Sequence, residues 1–377
     1  MATADQPNPE LDRRIMAAAL RIGRRNLGNT FPNPSVGAIL VHPDIGGARV
    51  VGLGWTGGGG RPHAETVAIA EAGSEAEGAT AYVTLEPCSH EGQTPPCADA
   101  LIAAGVARVV IPITDPDPRV AGKGVSRLKA AGIDVTTGVL QAEAEIAHGG
   151  HIYRVTKNRP WITLKLAVSA DGMIGRRDGD RMMVSGKPAF ERVQAIRADH
   201  DAIMVGIGTV EVDNPRLTLR GPAAGGRDLI RVVLDTEARI APSSTLVETA
   251  REVPLWLMVG EAADAARIDA LEAEGVRVFK VGTGSGGLDL PAVLARLAEE
   301  GITRVLAEGG AKVAGSLLAR DLIDEVVLFR APVVVGRGGV QALSGHALSA
   351  IERSPRYRIV GDSMIGEDRM RQFIKVR

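Results

Sequence analysis

The sequence predicts an α/β protein made of two domains. In both halves of the chain, short apolar segments of strand length alternate with segments of helical period. The length of 377 residues and the apolar fraction of 45% are enough for more than one packed core. The polar segment 148–160 separates the two alternating series. We therefore expect a disordered tail over residues 1–10, one domain over 11–150 and a second domain over 160–377.

The pattern of the first half predicts a three-layer α/β/α domain. Leu11, Ile15 and Ile22 recur at helical spacing, which places the first helix before Gly28. The other predicted elements are strands over 36–41, 49–53, 82–85, 109–113 and 134–139, and helices over 62–72, 98–104 and 122–131. This order, with helices interleaved between buried strands, is typical of a sheet covered on both faces.

Two loops of the first half carry distinctive residues. The segment 30–34 contains two prolines, which exclude regular structure and present Asn33 from a stiff loop. Asn33 is either a substrate contact or only a turn former. The four glycines of 57–60 lack the Gly-Lys-Ser/Thr ending of a nucleotide P-loop, so they predict a flexible loop.

The second half starts a new series of strands and helices. Ser185 looks like the N-cap of a helix with Phe190, Val193 and Ile196 on one face. The strands are predicted over 161–168, 202–205, 229–234, 255–259 and 304–307, and further helices over 262–274 and 310–318.

Two glycine-rich segments compete as cofactor sites. Residues 282–287 match Gly-x-Gly-x-x-Gly, but Asp289 and Pro291 place the next helix start after the loop, unlike a dinucleotide fingerprint. Residues 308–316 join a strand directly to a helix, so small residues allow backbone N–H groups to approach a pyrophosphate. Close packing of a strand-to-helix turn is the alternative explanation for the second segment.

The chemical signal of the first half is a histidine, a glutamate and the only two cysteines of the chain. His63, Cys88 and Cys97 offer one imidazole and two thiolates, which leaves the fourth position of a catalytic zinc site open. Glu65 is then the candidate for proton transfer, as in nucleobase deaminases, although the Pro-Cys-x-x-Cys spacing is widened here. A disulfide and a structural zinc site closed by His90 are the alternatives. No signal-peptide pattern favours a disulfide, and a structural site leaves Glu65 without a role.

The composition limits the class of partner. A net charge of -1 and an aromatic content of 3% disfavour a dedicated nucleic-acid binder. No apolar run has the length of a membrane span. We expect a small-molecule substrate and a cytoplasmic protein.

With both halves in view, the chain resembles the bifunctional riboflavin-biosynthesis deaminase–reductase family from end to end. The matching segments of the first half are 30–37, 62–65 and 87–97, and those of the second half are 165–172, 208–218 and 308–310. The resemblance implies a cytidine-deaminase-like domain followed by a dihydrofolate-reductase-like domain. It also implies two reactions: zinc-dependent hydrolytic deamination of a diaminopyrimidinone ribosyl phosphate to a uracil, and NADPH-dependent reduction of the ribosyl group to ribityl.

The resemblance also implies residue roles and a homo-oligomer. Glu65 is the catalytic residue, and His63, Cys88 and Cys97 are the zinc ligands. NADPH contacts are implied for Ala167, Met183, Thr209, Asp213, Thr236, Gly310, Ala311, Lys312, Val313, Ala314, Gly315 and Ser316. Substrate contacts are implied for Asn33, Arg181, Arg197, Leu217, Arg220 and Glu308.

The chain departs from the family pattern at three places. Thr56 stands where histidine is common, Gln93 where a basic residue is usual, and Arg181-Met182-Met183 where serine and tryptophan often occur. Two other functions remain open at this point. One is a cytidine or tRNA deaminase with a C-terminal binding module that has no redox chemistry, and the other is a non-catalytic scaffold stabilised by zinc.

Overall fold

The structure is a computed structural model that describes residues 8–44, 47–91, 95–176, 184–221, 225, 227–284 and 286–376. The chain divides into two compact units, Met1–Asn158 and Arg159–Arg377. The predicted limit of the first domain at residue 150 therefore falls too early. The segment expected to be a linker contains a helix, Gly149–Lys157, that belongs to the first unit.

The first unit is a five-stranded sheet with helices on both faces. Its elements are α1 (Pro9–Gly23), β1 (Gly37–Asp44), β2 (Gly47–Trp55), α2 (Ala64–Ala72), β3 (Thr80–Val83), α3 (Cys97–Ala103), β4 (Arg108–Ile111), α4 (Lys123–Ala130), β5 (Asp134–Thr137), α5 (Gln141–Ala147) and α6 (Gly149–Lys157). The strand order is β2-β1-β3-β4-β5. β1 is antiparallel to both neighbours, whereas β3, β4 and β5 are parallel.

The alternation of β1 explains the three layers. Ala38 and Leu40 face the core cluster that includes residues of α2, α3 and α4. Ile39 and Val41 face the opposite cluster, which is built on α1. Successive side chains of a strand point to opposite faces, so this apolar run is buried on both sides.

Helix α1 starts earlier and ends earlier than predicted. Asn8 is the N-cap, and its side chain accepts a hydrogen bond of 3.1 Å from the N–H of Leu11. Pro9 then occupies the first turn, where its fixed φ suits a helix start. The expected disordered tail is therefore wrong for Pro9 and Glu10. The helix ends at Gly23, and a short 3₁₀ turn follows.

Helix α2 carries the motif residues close to the sheet. It begins at Ala64 rather than at Pro62, because the carbonyl of Pro62 accepts a hydrogen bond of 2.8 Å from Gly57 and belongs to the glycine loop. Two glycines of β2 allow the helix to approach: a Cβ at Gly52 or Gly54 would collide with carbonyl oxygens of α2. His63 is thereby the N-cap of the helix and lies next to the sheet.

The second unit contains a nine-stranded sheet. Its elements are β6 (Trp161–Val168), β7 (Met173–Arg176), α7 (Lys187–Ala198), β8 (Ala202–Gly206), α8 (Ile207–Asp213), β9 (Ile230–Leu234), α9 (Thr245–Glu248), β10 (Leu255–Gly260), α10 (Ala265–Ala273), β11 (Arg277–Val281), β12 (Thr283–Gly284), β13 (Gly287–Leu288), α11 (Leu290–Glu299), β14 (Arg304–Glu308), α12 (Ala311–Ala319), β15 (Glu325–Arg330), β16 (Gly339–Gln341), α13 (Ser349–Glu352), β17 (Tyr357–Ile365) and β18 (Asp368–Lys375). The strand order is β11-β10-β9-β8-β14-β6-β15-β18-β17.

The direction of the strands defines where a ligand can bind in this unit. The seven strands from β11 to β15 are parallel, and β18 and β17 continue the sheet in antiparallel pairing. The carboxyl ends of β6, β8, β9 and β14 therefore meet at one edge of the sheet. In open α/β sheets this edge forms the ligand crevice.

Two details of the second unit correct or support the sequence prediction. Gly186, not Ser185, is the N-cap of α7, and Phe190 is 38% exposed while Val193 and Ile196 are buried. The segment 282–287 contributes to the β12–β13 hairpin, and α11 begins after it with Asp289 as N-cap. The structure thus confirms that this segment is not a dinucleotide fingerprint. Among the described residues, no helix has the length and apolar character needed to cross a bilayer.

Candidate functional sites

The first unit brings the three predicted zinc ligands together. His63 Nδ1 lies 3.2 Å from Cys97 Sγ and 3.7 Å from Cys88 Sγ. The three possible ligand atoms all lie within 4.8 Å of one another. His63 caps α2 and Cys97 is the first residue of α3, whereas Cys88 lies in the loop after β3. Two helix starts and one loop therefore converge on a single point.

This donor set fits zinc. Tetrahedral coordination with ordinary Zn–N and Zn–S bonds separates neighbouring ligand atoms by roughly 3.5–3.8 Å, close to the separations between His63 and the two cysteines. The backbone N–H of Cys97 donates to Cys88 Sγ over 3.2 Å. Hydrogen bonds from the side chain of Cys97, from His63 and from this N–H lower the pKa of the Cys88 thiol to about 4. A thiolate at Cys88 is the form that a metal ion needs.

Glu65 is placed for proton transfer beside this cluster. It lies in the first turn of α2 and its side chain is buried. Burial raises the pKa of the Glu65 carboxyl to about 7, and the Cys88 sulfur adds to this rise. A zinc ion bound nearby acts in the opposite direction through its positive charge. A carboxyl group with a pKa near neutrality can both accept and donate a proton at physiological pH.

The predicted substrate contacts of the first unit lie in the loops around the cluster. Asn33 Nδ2 donates to the carbonyl of Gly59 over 3.4 Å, so the proline-containing loop meets the glycine loop. Thr56 is buried, and its hydroxyl accepts a hydrogen bond of 2.9 Å from the N–H of Val36. Because this hydrogen bond supports the backbone, threonine is a suitable residue at that position. Gln93 lies outside the described residues.

The second unit forms a cradle at the ends of β8 and β14. Gly309 and Gly310 adopt φ values of 81° and 77°, a left-handed region that favours glycine. A Cβ on them would lie 3.4 Å and 3.3 Å from Thr209 Oγ1. Gly310 is also the N-cap of α12, and the first N–H groups of a helix have no partner within the helix. The cradle fits the pyrophosphate of a dinucleotide.

The close-packing explanation holds for one glycine of the same turn. A Cβ at Gly315 would collide with the carbonyl oxygen of Ser344, and Gly315 is buried within α12. The other predicted residues of this set lie near the crevice edge or on its flanks: Ala167 in β6, Asp213 at the end of α8, Thr236 after β9, Leu217 and Arg220 in the segment after α8, and Ala311, Lys312, Val313, Ala314 and Ser316 in α12. Arg181 and Met183 lie outside the described residues.

A buried ion pair joins two predicted substrate residues. Arg197 on α7 donates from Nε and Nη2 to the two carboxylate oxygens of Glu308 at 2.7 Å and 2.8 Å. Its Nη1 also donates to the carbonyl of Thr218 over 3.1 Å. Burial raises the pKa of Glu308, but the charge and hydrogen bonds of Arg197 outweigh burial and hold this pKa below its usual value. Glu308 is therefore a carboxylate at the end of β14.

Sequence reasoning assigned no role to Lys165, which lies beside this pair. Lys165 on β6 pairs in register with Glu308 on β14. Burial lowers the pKa of the Lys165 ammonium, while the charge of Glu308 acts in the opposite direction. The available signal was a single cation within the otherwise apolar strand 161–168. A half-buried lysine with a lowered pKa is a candidate proton donor at a reactive site.

Comparison with known proteins assigns both units. The model of the RibD C-terminal domain matches residues 160–368. The model of the cytidine and deoxycytidylate deaminase zinc-binding region matches residues 9–113.

Full-length relatives show the same combination of domains. Riboflavin biosynthesis protein RibD of Bacillus amyloliquefaciens is 39% identical over 359 residues, which cover 95% of each chain. RibD of Escherichia coli is 37% identical over 369 residues, which cover 95% of this chain and 97% of the relative. Among solved structures, Acinetobacter baumannii RibD superposes with a TM-score of 0.84 at 31% identity and covers 98% of this chain and 100% of its own.

A second solved structure carries an explicit description of activity. The diaminohydroxyphosphoribosylaminopyrimidine deaminase / 5-amino-6-(5-phosphoribosylamino)uracil reductase of Thermotoga maritima has a TM-score of 0.82 at 32% identity, covering 98% of this chain and 99% of its own. These similarities confirm the predicted fold class, zinc and NADPH as cofactors, and an enzyme with two activities. The chain belongs to the RibD family of riboflavin biosynthesis, whose members join a zinc-dependent deaminase to an NADPH-dependent reductase.

Proposed function

We propose that the first unit deaminates 2,5-diamino-6-(5-phosphoribosylamino)pyrimidin-4(3H)-one and that the second reduces the resulting 5-amino-6-(5-phosphoribosylamino)uracil. The observation that carries the proposal is the cluster of His63, Cys88 and Cys97 with Glu65 buried beside it. The activity named for the Thermotoga maritima relative supports this choice of substrate. The 5-phosphate of the ribosyl group is shared by both substrates.

In the deaminase unit, His63, Cys88 and Cys97 would hold zinc, which when bound would supply a water nucleophile at neutral pH by lowering the pKa of that water. Glu65 accepts the proton of this water and passes it to the departing amino group, which leaves as ammonia. Its buried position in the first turn of α2, two residues from His63, suits both steps. Asn33 binds the substrate from the rim formed by the proline-containing and glycine loops.

In the reductase unit, the cradle of Thr209, Gly310 and the start of α12 would bind NADPH, which would supply the hydride. Ala167, Met183, Asp213 and Thr236 complete the cofactor contacts. Glu308, held by Arg197, accepts hydrogen bonds from the ribosyl hydroxyl groups, and Lys165 beside it donates a proton when the hydride arrives. Arg220, which is exposed, pairs with the phosphate. Arg181 and Leu217 contribute further substrate contacts.

A coupled assay tests the two reactions in sequence. With the diaminopyrimidinone substrate and NADPH, the purified protein should release one ammonia and oxidise one NADPH per substrate. With the deaminated uracil, NADPH oxidation should proceed without ammonia release. Unchanged NADPH absorbance at every concentration of the uracil would remove the reductase assignment and favour a deaminase with a non-redox binding module. Cytidine and tRNA serve as alternative deaminase substrates in the same assay.

We also propose a cytoplasmic homo-oligomer, in which two copies pair through β17. This strand ends the nine-stranded sheet, and Ile359, Val360 and Met364 on it are exposed. An edge strand with exposed apolar side chains can pair with the same strand of a second copy about a two-fold axis. Cell fractionation tests the location.

The pairing predicts a mass measurement. Light scattering should give at least twice the mass of the chain. Val360→Lys should shift the protein toward monomer because it places a charge among the exposed apolar residues of this edge strand. Val50→Lys, an exposed apolar position in the first unit, is the matched control and should leave the mass unchanged. A wild-type mass equal to one chain would contradict this proposal.

A further inference from the structure

Cys88 is the one zinc ligand without support from regular secondary structure. β3 ends at Val83 and α3 begins at Cys97, so Cys88 lies between them in a loop. His63 and Cys97 both stand at helix starts, where the helix backbone fixes them. The position of Cys88 therefore depends on contacts that its loop makes with the rest of the unit.

Besides the hydrogen bonds that Cys88 itself accepts from the N–H groups of Cys97 and Ala98, Glu86 holds this loop in place. Its side chain is 3% exposed, and its carboxylate accepts three backbone N–H groups. Oε2 accepts from Asp115 at 3.1 Å and from Gly122 at 2.9 Å, and Oε1 accepts from Val125 at 3.0 Å. Hydrogen bonds to an ionised acceptor are stronger than those between neutral groups.

The partners of Glu86 show what this carboxylate does for α4. Gly122 is the N-cap of α4 and has no side-chain oxygen to cap the first turn. Glu86 replaces that oxygen from a distant part of the chain, because it satisfies the N–H of the cap and that of Val125, the third helical residue. Its negative charge also lies at the positive end of the helix dipole.

The residues on both sides of Cys88 contact the same helix. A Cβ at Gly124 would collide with the carbonyl oxygen of Pro87, so the backbone of the loop rests directly on the first turn of α4. Arg127 donates to the carbonyl of Ser89 over 3.3 Å and binds Asp99 of α3 at 2.5 Å. The amino end of α4 is therefore the platform on which the Cys88 loop is built.

We infer that Glu86 is a positioning residue of the deaminase: by tying the loop to the amino end of α4, its carboxylate sets the place of Cys88 relative to His63 and Cys97. This inference rests on the proposed function of the first unit. Glu86 itself touches neither the ligand atoms nor the substrate. Its effect passes through Pro87 to Cys88.

The test uses Glu86→Gln, which keeps the shape of the side chain. A carboxamide has one acceptor oxygen and an NH₂ group, so at least one of the three N–H groups loses its acceptor. Mutation of residues that hold metal ligands in place commonly lowers metal affinity by about 10- to 100-fold. We expect zinc affinity, measured by competition with a chromophoric chelator, to fall by about 10- to 100-fold. The spectrum of the cobalt-substituted protein should shift, because Cys88 moves in the coordination sphere.

Thiol reactivity of the metal-free protein provides a second readout. Its two cysteines are both in the cluster, so a thiol reagent added to metal-free protein reports on this site alone. Glu86→Gln should increase the reaction rate of Cys88. Glu71→Gln is the matched control, because Glu71 also accepts a backbone N–H, that of Leu53 at 2.7 Å, away from the cluster. This control should leave zinc affinity, spectrum and thiol reactivity unchanged.

A second variant disturbs the same platform and keeps the glutamate at position 86, although an added Cβ at Gly124 would lie 3.1 Å from Glu86 Oε1 as well as against Pro87. Gly124→Ala pushes Pro87 away from α4 and should lower zinc affinity and shift the cobalt spectrum in the same direction. If circular dichroism shows that Glu86→Gln is unfolded, Gly124→Ala carries the test. Wild-type zinc affinity and an unshifted cobalt spectrum in the folded variants would overturn the inference. Wild-type protein that binds zinc tightly but releases no ammonia would instead refute the proposed deaminase function.

Discussion

Replacing Glu65 by glutamine should lower the rate of ammonia release by roughly 10²- to 10⁴-fold, the usual contribution of a general acid–base group. Glutamine has nearly the same shape, so the first turn of α2 and the position of His63 at its N-cap should be kept. What is lost is the group that accepts and returns a proton near neutral pH. The variant should therefore retain zinc and lose turnover.

Three measurements on one preparation separate these effects. Metal analysis should give the wild-type zinc content, ammonia release should be nearly abolished, and NADPH oxidation with the deaminated uracil should continue at the wild-type rate. The reductase unit thus acts as a control within the same molecule. Ammonia release by the variant at the wild-type rate would refute the proton-transfer role of Glu65. Absence of ammonia release from the wild-type protein would instead make the zinc-stabilised scaffold the better explanation.

The zinc cluster could be read from the sequence because its signal is local. His63 and Glu65 are two residues apart, and the two cysteines flank one loop. The alternation of apolar segments likewise predicted strands β1 to β6 and most of their helices. These patterns depend on short-range periodicity and on turn residues, which a single sequence displays directly.

The supports of the site could not be read in this way. Glu86 follows an apolar strand and looks like a strand end, and only the folded chain brings Val125 within 3.0 Å of it. Lys165 meets Glu308 through the pairing of β6 with β14, which are far apart in sequence. Long-range contacts of this kind leave no spacing pattern behind. The polar and glycine residues before residue 158 resemble a linker in sequence, although they form α6.

The ion pair between Arg197 and Glu308 leads to the second large effect. Both side chains are about one-tenth exposed, at 12% and 11%. Glu308→Gln removes the negative charge and leaves the buried Arg197 guanidinium with neutral acceptors, the new amide oxygen and the carbonyl of Thr218. Removing one partner of a buried ion pair typically lowers the unfolding free energy by about 3–5 kcal/mol. NADPH oxidation should fall at least about 100-fold, in line with the loss of a transition-state contact, whereas ammonia release should stay unchanged.

An exposed pair in the same unit provides the matched control for this prediction. Arg369 binds Asp362 with the same two-pronged geometry, at 2.8 Å and 2.6 Å, but the two side chains are 54% and 36% exposed. Asp362→Asn should therefore change stability by no more than about 1 kcal/mol, because water screens exposed charges.

Stability and function can then be separated with the double variant Arg197→Met, Glu308→Leu, which has no unpaired charge. Denaturant unfolding should show a higher unfolding free energy for the double variant than for Glu308→Gln, since apolar replacements of a buried pair are often neutral or favourable. NADPH oxidation should remain absent, because the carboxylate that binds the ribosyl group is still missing. Recovery of reduction together with stability would show that the pair serves the fold alone.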